Sequence, residues 1–146
     1  MTHVVAVVPA HNQIQSIGAT VKALLELEEL GEVVVVDDGS NDGTGEAARE
    51  AGARVISLPK NIGKGGAVSK AVDASGAPDG YLLIDADLSS SASHAKILLD
   101  MLTNDAADMV VSVFPKAGRS RGYGIVKRMA NRLLLSATGR SFEEPL

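Results

Sequence analysis

The sequence predicts an α/β fold built on a mainly parallel sheet with helices on both faces. Three observations predict it. Short runs such as residues 4–8 and 33–36 are continuously apolar and rich in Val, as strands buried on both faces are. Amphipathic stretches of helical period separate these runs along the chain, the alternation that right-handed crossovers between parallel strands produce. Three of the runs also end in polar or turn-forming residues, which such a sheet brings to one edge.

The elements follow in order. Residues 4–8 form the first strand, ended by Pro9. Ser16 is placed to cap a helix reaching to about Leu30, with Ile17, Val21, Leu24, Leu25 and Leu27 as its apolar stripe and Gly31 as its stop. Residues 33–36 form a second strand, leading into a loop of turn and capping residues from Asp37 to Thr44. A short helix then runs to Ala51, stopped by Gly52. Residues 54–57 are a third strand, and the loop 58–66 is rich in Gly and Lys. A helix is expected over residues 67–75, a fourth strand over 81–84, and a helix starting among Ser89 to Ser93 and ending near Leu102. Residues 109–113 read as a fifth strand, 115–124 as a basic loop, and 125–137 as a last amphipathic helix.

Composition bounds the function. The 146 residues suit one domain, with no repeat or linker visible. Aromatics make up 3% and Trp is absent, against base-stacking nucleic-acid modules, so no nucleic-acid partner is expected. There is no Cys, hence no disulfide, thiolate metal site or Cys nucleophile, which suits a cytoplasmic protein. No signal peptide or membrane-spanning helix is read from the sequence. Charge is uneven: residues 1–113 carry 7 Lys and Arg against 16 Asp and Glu, whereas residues 114–146 carry 7 against 2. The basic stretch suggests an anionic contact, with a solvated helix face as the plain alternative.

Ligands of open parallel sheets bind beyond the C-terminal strand ends. Three ends carry candidate chemistry: Pro9-Ala10-His11-Asn12, Asp37-Asp38-Gly39-Ser40 and Asp85-Ala86-Asp87. Two nearby carboxylates repel unless a cation lies beside them, and hard oxygen ligands select Mg²⁺ or Mn²⁺. A capping Asp beside a turn Asp is the plain alternative. The Asp37-Asp38 loop has two readings as well: a tight turn, or a carboxylate that accepts from a base or ribose. The stretch from Lys60 to Gly66 suits phosphates but lacks Walker A spacing, and the first strand does not lead into G-x-G-x-x-G. His3, His11 and His94 show no zinc-hydrolase spacing, and no G-x-S-x-G elbow is present.

Four motifs stand in order: residues 7–12, residues 36–44, Asn61-Ile62-Gly63-Lys64-Gly65-Gly66-Ala67 and Asp85-Ala86-Asp87. Together they resemble the family 2 glycosyltransferases of the GT-A fold, over nearly the whole chain. The dolichyl-phosphate mannosyltransferase-like and bactoprenol glucosyltransferase-like members are the most similar. The resemblance implies a UDP- or GDP-sugar donor, with Pro9, Ala10 and Asn12 lining the nucleotide pocket and Asp38, beside Asp37, contacting the base. Lys64 and Gly65 belong to the same region. Asp85 and Ala86 lie near the ribose or sugar, and Asp87 is the catalytic metal ligand for Mg²⁺ or Mn²⁺, with Asp85 its neighbour in the metal site. Arg119, Arg121, Lys127 and Arg128 fall where relatives that use polyprenyl phosphate carry phosphate-facing residues. That implies work at the inner membrane surface; a homo-oligomer is left open.

Two departures matter. Gln13 stands where the family usually has Glu, and its catalytic domains normally continue past this point. The chain is therefore expected to be a truncated domain, 1–146, lacking its acceptor-side portion and any Glu-Asp motif that would supply a base. The expected activity is metal-dependent sugar transfer with inversion. The alternatives are a non-catalytic nucleotide-sugar-binding fragment and a sugar nucleotidyltransferase, whose Gly-rich opening loop is missing.

Overall fold

A computed structural model of the chain describes residues 3–103 and 109–112. The chain divides into two compact units, Met1–Val111 and Ser112–Leu146, and every element below belongs to the first.

Four strands, β1 (Val4–Ala10), β2 (Leu30–Asp37), β3 (Arg54–Ser57) and β4 (Gly80–Leu83), form one parallel sheet in the order β3-β2-β1-β4. The runs of Val have their cause here. Side chains alternate between faces along a strand, so a strand with helices on both sides needs apolar residues at every position. Val4, Ala6, Val8 and Ala10 enter one core with Val33 and Val35, while Val5 and Val7 enter the other with Val34 and Val36. Each fully buried Val or Leu contributes about 1.5–3 kcal/mol.

Helices α1 (Ile17–Leu25) and α2 (Thr44–Glu50) cover the first face through Ile17, Val21, Leu24 and Ala48. A 3₁₀ helix (Ser89–Ala95) continues into α4 (Lys96–Thr103), and the pair joins this core through Ala92, Ala95 and Leu99. Helix α3 (Lys64–Ala74) covers the opposite face, where the small side chains of Ala67 and Ala71 let it lie close to the sheet. The chain thus winds outward from β1 to β3 over one face. It returns over the other to place β4 on the far side of β1. That reversal lies between β1 and β4, where open α/β sheets form their ligand crevice.

Several boundaries differ from expectation. Helix α1 stops at Leu25, and Leu30 and Gly31 already belong to β2. The apolar residue Leu27, expected in the helix stripe, is buried instead in a turn, where its N–H donates to Leu24 O. Ser16 makes no side-chain cap; its hydroxyl is used elsewhere. Helix α3 begins at Lys64 behind an N-cap Gly63, so Gly65 and Gly66 are helical rather than loop residues. The fifth strand does not form over residues 109–112, where Met109 and Val111 are more than half exposed and lack the burial that fixes a strand. The basic loop, the last expected helix, Arg119, Arg121, Lys127 and Arg128 lie outside the described residues. Among the described residues, no helix is long and apolar enough to cross a membrane.

Candidate functional site

The predicted strand ends do meet. Ala10 pairs with Asp37 in register, and its carbonyl accepts the Asp38 N–H at 2.8 Å. β4 stops opposite Val7, and the Ile84 N–H donates to Val7 O at 3.1 Å, so residues 85–87 leave the sheet beside the end of β1.

The loops after β1 and β2 are sewn together. The Asn12 N–H donates to Ser40 Oγ at 2.9 Å, and Asn12 Oδ1 accepts the Asn41 N–H at 3.1 Å. The Gln13 N–H donates to Thr44 Oγ1 at 2.8 Å and the Ile14 N–H to Asp42 Oδ2 at 3.2 Å. Asp42 Oδ1 in turn accepts from the Thr44 hydroxyl at 2.6 Å and from the Thr44 N–H at 3.0 Å. The Thr44 hydroxyl, with the backbone N–H groups of Ile14 and Thr44, holds the Asp42 carboxyl below its usual range. Asn12 takes a left-handed backbone (φ 53°), which Asn tolerates better than most residues.

His11 reports its own tautomer. Its Nδ1 lies 2.8 Å from Asp38 O, a pure acceptor, so Nδ1 carries the hydrogen and Nε2 takes the Asn12 Nδ2 donor at 3.1 Å. The Asn41 N–H fixes which end of the Asn12 amide is oxygen.

Asp37 and Asp38 are both buried, 8% and 3% exposed. Asp37 Oδ1 accepts the Ser40 N–H at 3.0 Å. Asp38 Oδ1 accepts the Ile62 N–H at 2.7 Å, and Oδ2 accepts the Gly63 N–H at 2.9 Å. Backbone donors compensate the buried charge, and each carboxylate keeps lone pairs beyond these contacts. Asp38 therefore shapes the approach to α3. Gly39 is needed between these loops: at φ +70°, a Cβ there would lie 2.6 Å from Asn61 N and Lys60 C.

The first turn of α3 carries Lys64 and Gly65 to this edge, and a Cβ at Gly65 would meet nothing within 4 Å. The Lys64 ammonium is ion-paired with Asp85. Ala86 is buried, and its carbonyl accepts from the hydroxyls of Ser16 and Thr20, both at 3.0 Å. Asp85 and Asp87 are exposed on either side of it. Asp87 has no hydrogen bond or ion pair among the described residues. Its hard oxygens suit Mg²⁺ or Mn²⁺. Among the described residues no three His, Asp or Glu side chains gather into a metal cage. The donor set thus fits an ion held by one or two carboxylates and completed by water and phosphate oxygens, as Mg²⁺ commonly is.

The glycosyl transferase family 2 model matches residues 5–142 of the chain. The chain belongs to glycosyl transferase family 2. It is 31% identical to Glycosyltransferase AglJ of Haloferax volcanii over 142 residues, 94% of this chain and 46% of that protein. It is 30% identical to Protein RfbJ of Shigella flexneri over 124 residues, 83% of this chain and 92% of that one. Among solved structures it is similar to glucosyl-3-phosphoglycerate synthase from Mycobacterium tuberculosis in complex with Mn²⁺ and UDP-glucose. That likeness has a TM-score of 0.54 and 31% identity, and it covers 61% of this chain and 34% of the synthase. The chain thus spans about half of AglJ and a third of the synthase.

Family 2 membership and the parallel sheet agree with the GT-A fold that the four motifs implied. The structure brings together Ala10, Asn12, Asp37, Asp38, Lys64, Asp85 and Ala86 through the contacts above, and Pro9 lies beside them on β1, paired in register with Val36. Sequence reasoning missed the sewing residues Asp42 and Thr44, and also Thr20. A signal existed for each. Asp42-Gly43-Thr44 has the composition of a capped turn, and Thr20 is a polar residue four positions after Ser16 on the buried side of a helix.

Proposed function

We propose that the domain binds a nucleoside-diphosphate sugar across the ends of β1, β2 and β4 and transfers the sugar with inversion in a metal-dependent reaction. The observation that carries this reading is Asp87, an exposed carboxylate without a protein partner among the described residues, beside an Asp85 already neutralised by Lys64. A carboxylate left free at a crevice suits a divalent ion that arrives with its phosphates. The synthase complex, which holds Mn²⁺ and UDP-glucose, supports the same assignment.

In this reading Pro9, Ala10 and Asn12 line the nucleotide pocket, and the lone pairs left on Asp37 and Asp38 receive donors from the base. Asp87 holds the metal, with Asp85 beside it. Lys64, Gly65 and Ala86 border the diphosphate and sugar. When bound, the metal neutralises charge on the departing diphosphate. The Lys64 ammonium adds positive charge at the same edge, paired with Asp85 until the diphosphate arrives.

The experiment is a thermal-shift screen of UDP- and GDP-sugars with and without Mn²⁺ or Mg²⁺, on the wild type and Asp87→Ala. Stabilisation that needs both metal and one donor, and disappears in the variant, supports the reading. A metal-dependent shift that survives Asp87→Ala removes it. A turnover assay on the same samples separates transfer from binding alone.

The acceptor in this reading is a polyprenyl phosphate at the cytoplasmic membrane surface. It is already ionised at neutral pH, needs no general base, and suits the basic balance of residues 114–146. Transfer to polyprenyl phosphate is compared with transfer to a sugar hydroxyl, and preference for the hydroxyl refutes this choice.

A further inference from the structure

The turn that carries Asp87 is held from below by one buried hydroxyl. Thr20 is fully buried on the inner side of α1, where the neighbouring positions Ile17, Val21 and Leu24 are apolar. Its Oγ1 accepts the Ser89 N–H at 2.8 Å, and its one proton has two carbonyls in reach, Ala86 O at 3.0 Å and Ser16 O at 3.1 Å. A hydroxyl has one proton and two lone pairs, so the group can receive Ser89 while its proton goes to Ala86 O, the nearer of the two carbonyls. Those contacts fall on the residues bracketing Asp87 and Leu88. Ser16, the residue just before α1, aims a second hydroxyl at the same Ala86 carbonyl at 3.0 Å.

The backbone shows why such a hold is needed. Ser89 has φ 50°, a left-handed conformation that a Ser does not adopt readily and that surroundings must impose. Val at position 20 would fill the same volume and satisfy the apolar core equally well. The Ser16 carbonyl alone could satisfy a buried Thr hydroxyl, but the Ser89 N–H has Thr20 Oγ1 as its partner, and Val would leave it without one.

We propose that Thr20, assisted by Ser16, is a positioning residue for the metal site: it fixes the turn 86–89 so that the Asp87 carboxylate is presented to the ion already oriented. The inference rests on the reading of Asp87 as metal ligand. Thr20 touches neither metal nor donor; it acts on the backbone that carries the ligand. Loss of a group that orients a metal ligand commonly costs about 10–100-fold in metal affinity.

The test measures Mn²⁺ binding to the full chain by the loss of the free-ion EPR signal, with UDP and in parallel with GDP. Asp87→Ala is the control: if it leaves Mn²⁺ binding intact, the assignment of Asp87 itself fails, whatever Thr20 does. With that control behaving as a ligand loss, Thr20→Val is expected to weaken Mn²⁺ binding by about tenfold or more. Thr20→Ser, which keeps the hydroxyl and loses the methyl, is expected to lower the melting temperature yet bind Mn²⁺ like the wild type. A merely structural Thr20 would give the opposite order, with Thr20→Val the milder change in both measurements, and that result overturns the proposal. If Thr20→Val does not fold, Ser16→Ala at a half-buried position decides. It is expected to weaken Mn²⁺ binding by about threefold, as loss of one neutral hydrogen bond would. Unchanged binding in Ser16→Ala then counts against the proposal.

Discussion

Oδ2 of Asp38 accepts the Gly63 N–H at 2.9 Å, joining the end of β2 to the N-cap of α3 across 25 residues of sequence. Oδ1 does the same for Ile62. The carboxylate is thus both a candidate base contact and the anchor of the loop that delivers Lys64. In Asp38→Asn one oxygen becomes an amide donor, which faces a backbone N–H it cannot pair with. Setting two donors against each other at this buried side chain costs about 1–3 kcal/mol. Urea melts are expected to show this loss, and donor affinity should fall with it. Wild-type stability together with lost donor binding would mean that Asp38 serves the ligand alone.

Gly45→Ala sets two effects against each other. Replacing Gly by Ala inside a helix ordinarily adds about 1 kcal/mol. Here the new methyl would lie 2.6 Å from Asp37 Oδ2. Asp37 has no easy retreat, being 8% exposed and tied through Oδ1 to the Ser40 N–H. Overpacking of this kind costs about 1–3 kcal/mol, so the net change should be destabilising. Nucleotide binding should weaken too, because the displaced group is a predicted base contact. A melting temperature above that of the wild type would show that Asp37 yields freely.

Much of this arrangement was legible in the sequence, and the reasons are specific. Residues 4–8 and 33–36 could only be strands buried on both faces, because no helix in a chain this small hides every side. The motif residues Asp38 and Asp85 stood out because charge directly after such a run needs an explanation. The start of α3 was misplaced because Gly65 and Gly66 disfavour helix, whereas the Asp38 anchor on residues 62 and 63 and the packing of Ala67 override that local preference. Leu27 and Leu30 extended the apparent helix because apolar spacing does not distinguish a helix from a turn that buries the same side chains. Thr20 escaped notice for a related reason: its task is defined by Ala86 and Ser89, more than sixty residues away in sequence.

Away from the crevice, Lys96 joins Glu29, just before β2, to Asp100 on α4. The Lys96 hydrogen bond lowers the Glu29 carboxyl below its ordinary 4.5, and Glu29 and Asp100 raise the Lys96 ammonium above its ordinary 10.5. The depressed carboxyl stabilises the fold above its unfolded value, and that contribution fades as pH falls through the folded value. The raised ammonium stabilises below its unfolded value and fades as pH rises through the folded one. Both contributions are complete between those limits. Lys96→Met is therefore expected to melt below the wild type near neutral pH, the more so because Glu29 Oε2 is buried without a hydrogen-bond partner. The gap should narrow as pH falls below the ordinary carboxyl value of 4.5 and Glu29 takes up its proton. A gap that stays constant as the solution is acidified would show that Lys96 acts through packing.

Lys64 separates stability from binding. Its ion pair with Asp85 joins two exposed side chains, 66% and 57% accessible. Pairs of that kind contribute about 0–1 kcal/mol, since water screens the attraction and two long side chains must be held still. Lys64→Gln should therefore melt within about 3 °C of the wild type. A nucleoside diphosphate is a different partner, carrying more charge than a single carboxylate, and an ammonium is worth more against it. Loss of Lys64 should weaken nucleoside-diphosphate binding by about tenfold or more, the equivalent of one charge-assisted hydrogen bond. Nucleoside binding should stay unchanged, because nothing in that ligand calls for the ammonium. Titrating the variant with UDP and with uridine, and likewise with GDP and guanosine, distinguishes the cases. Equal losses for the nucleoside and its diphosphate would move Lys64 from the phosphates to the base. No loss for either would leave it with Asp85 alone.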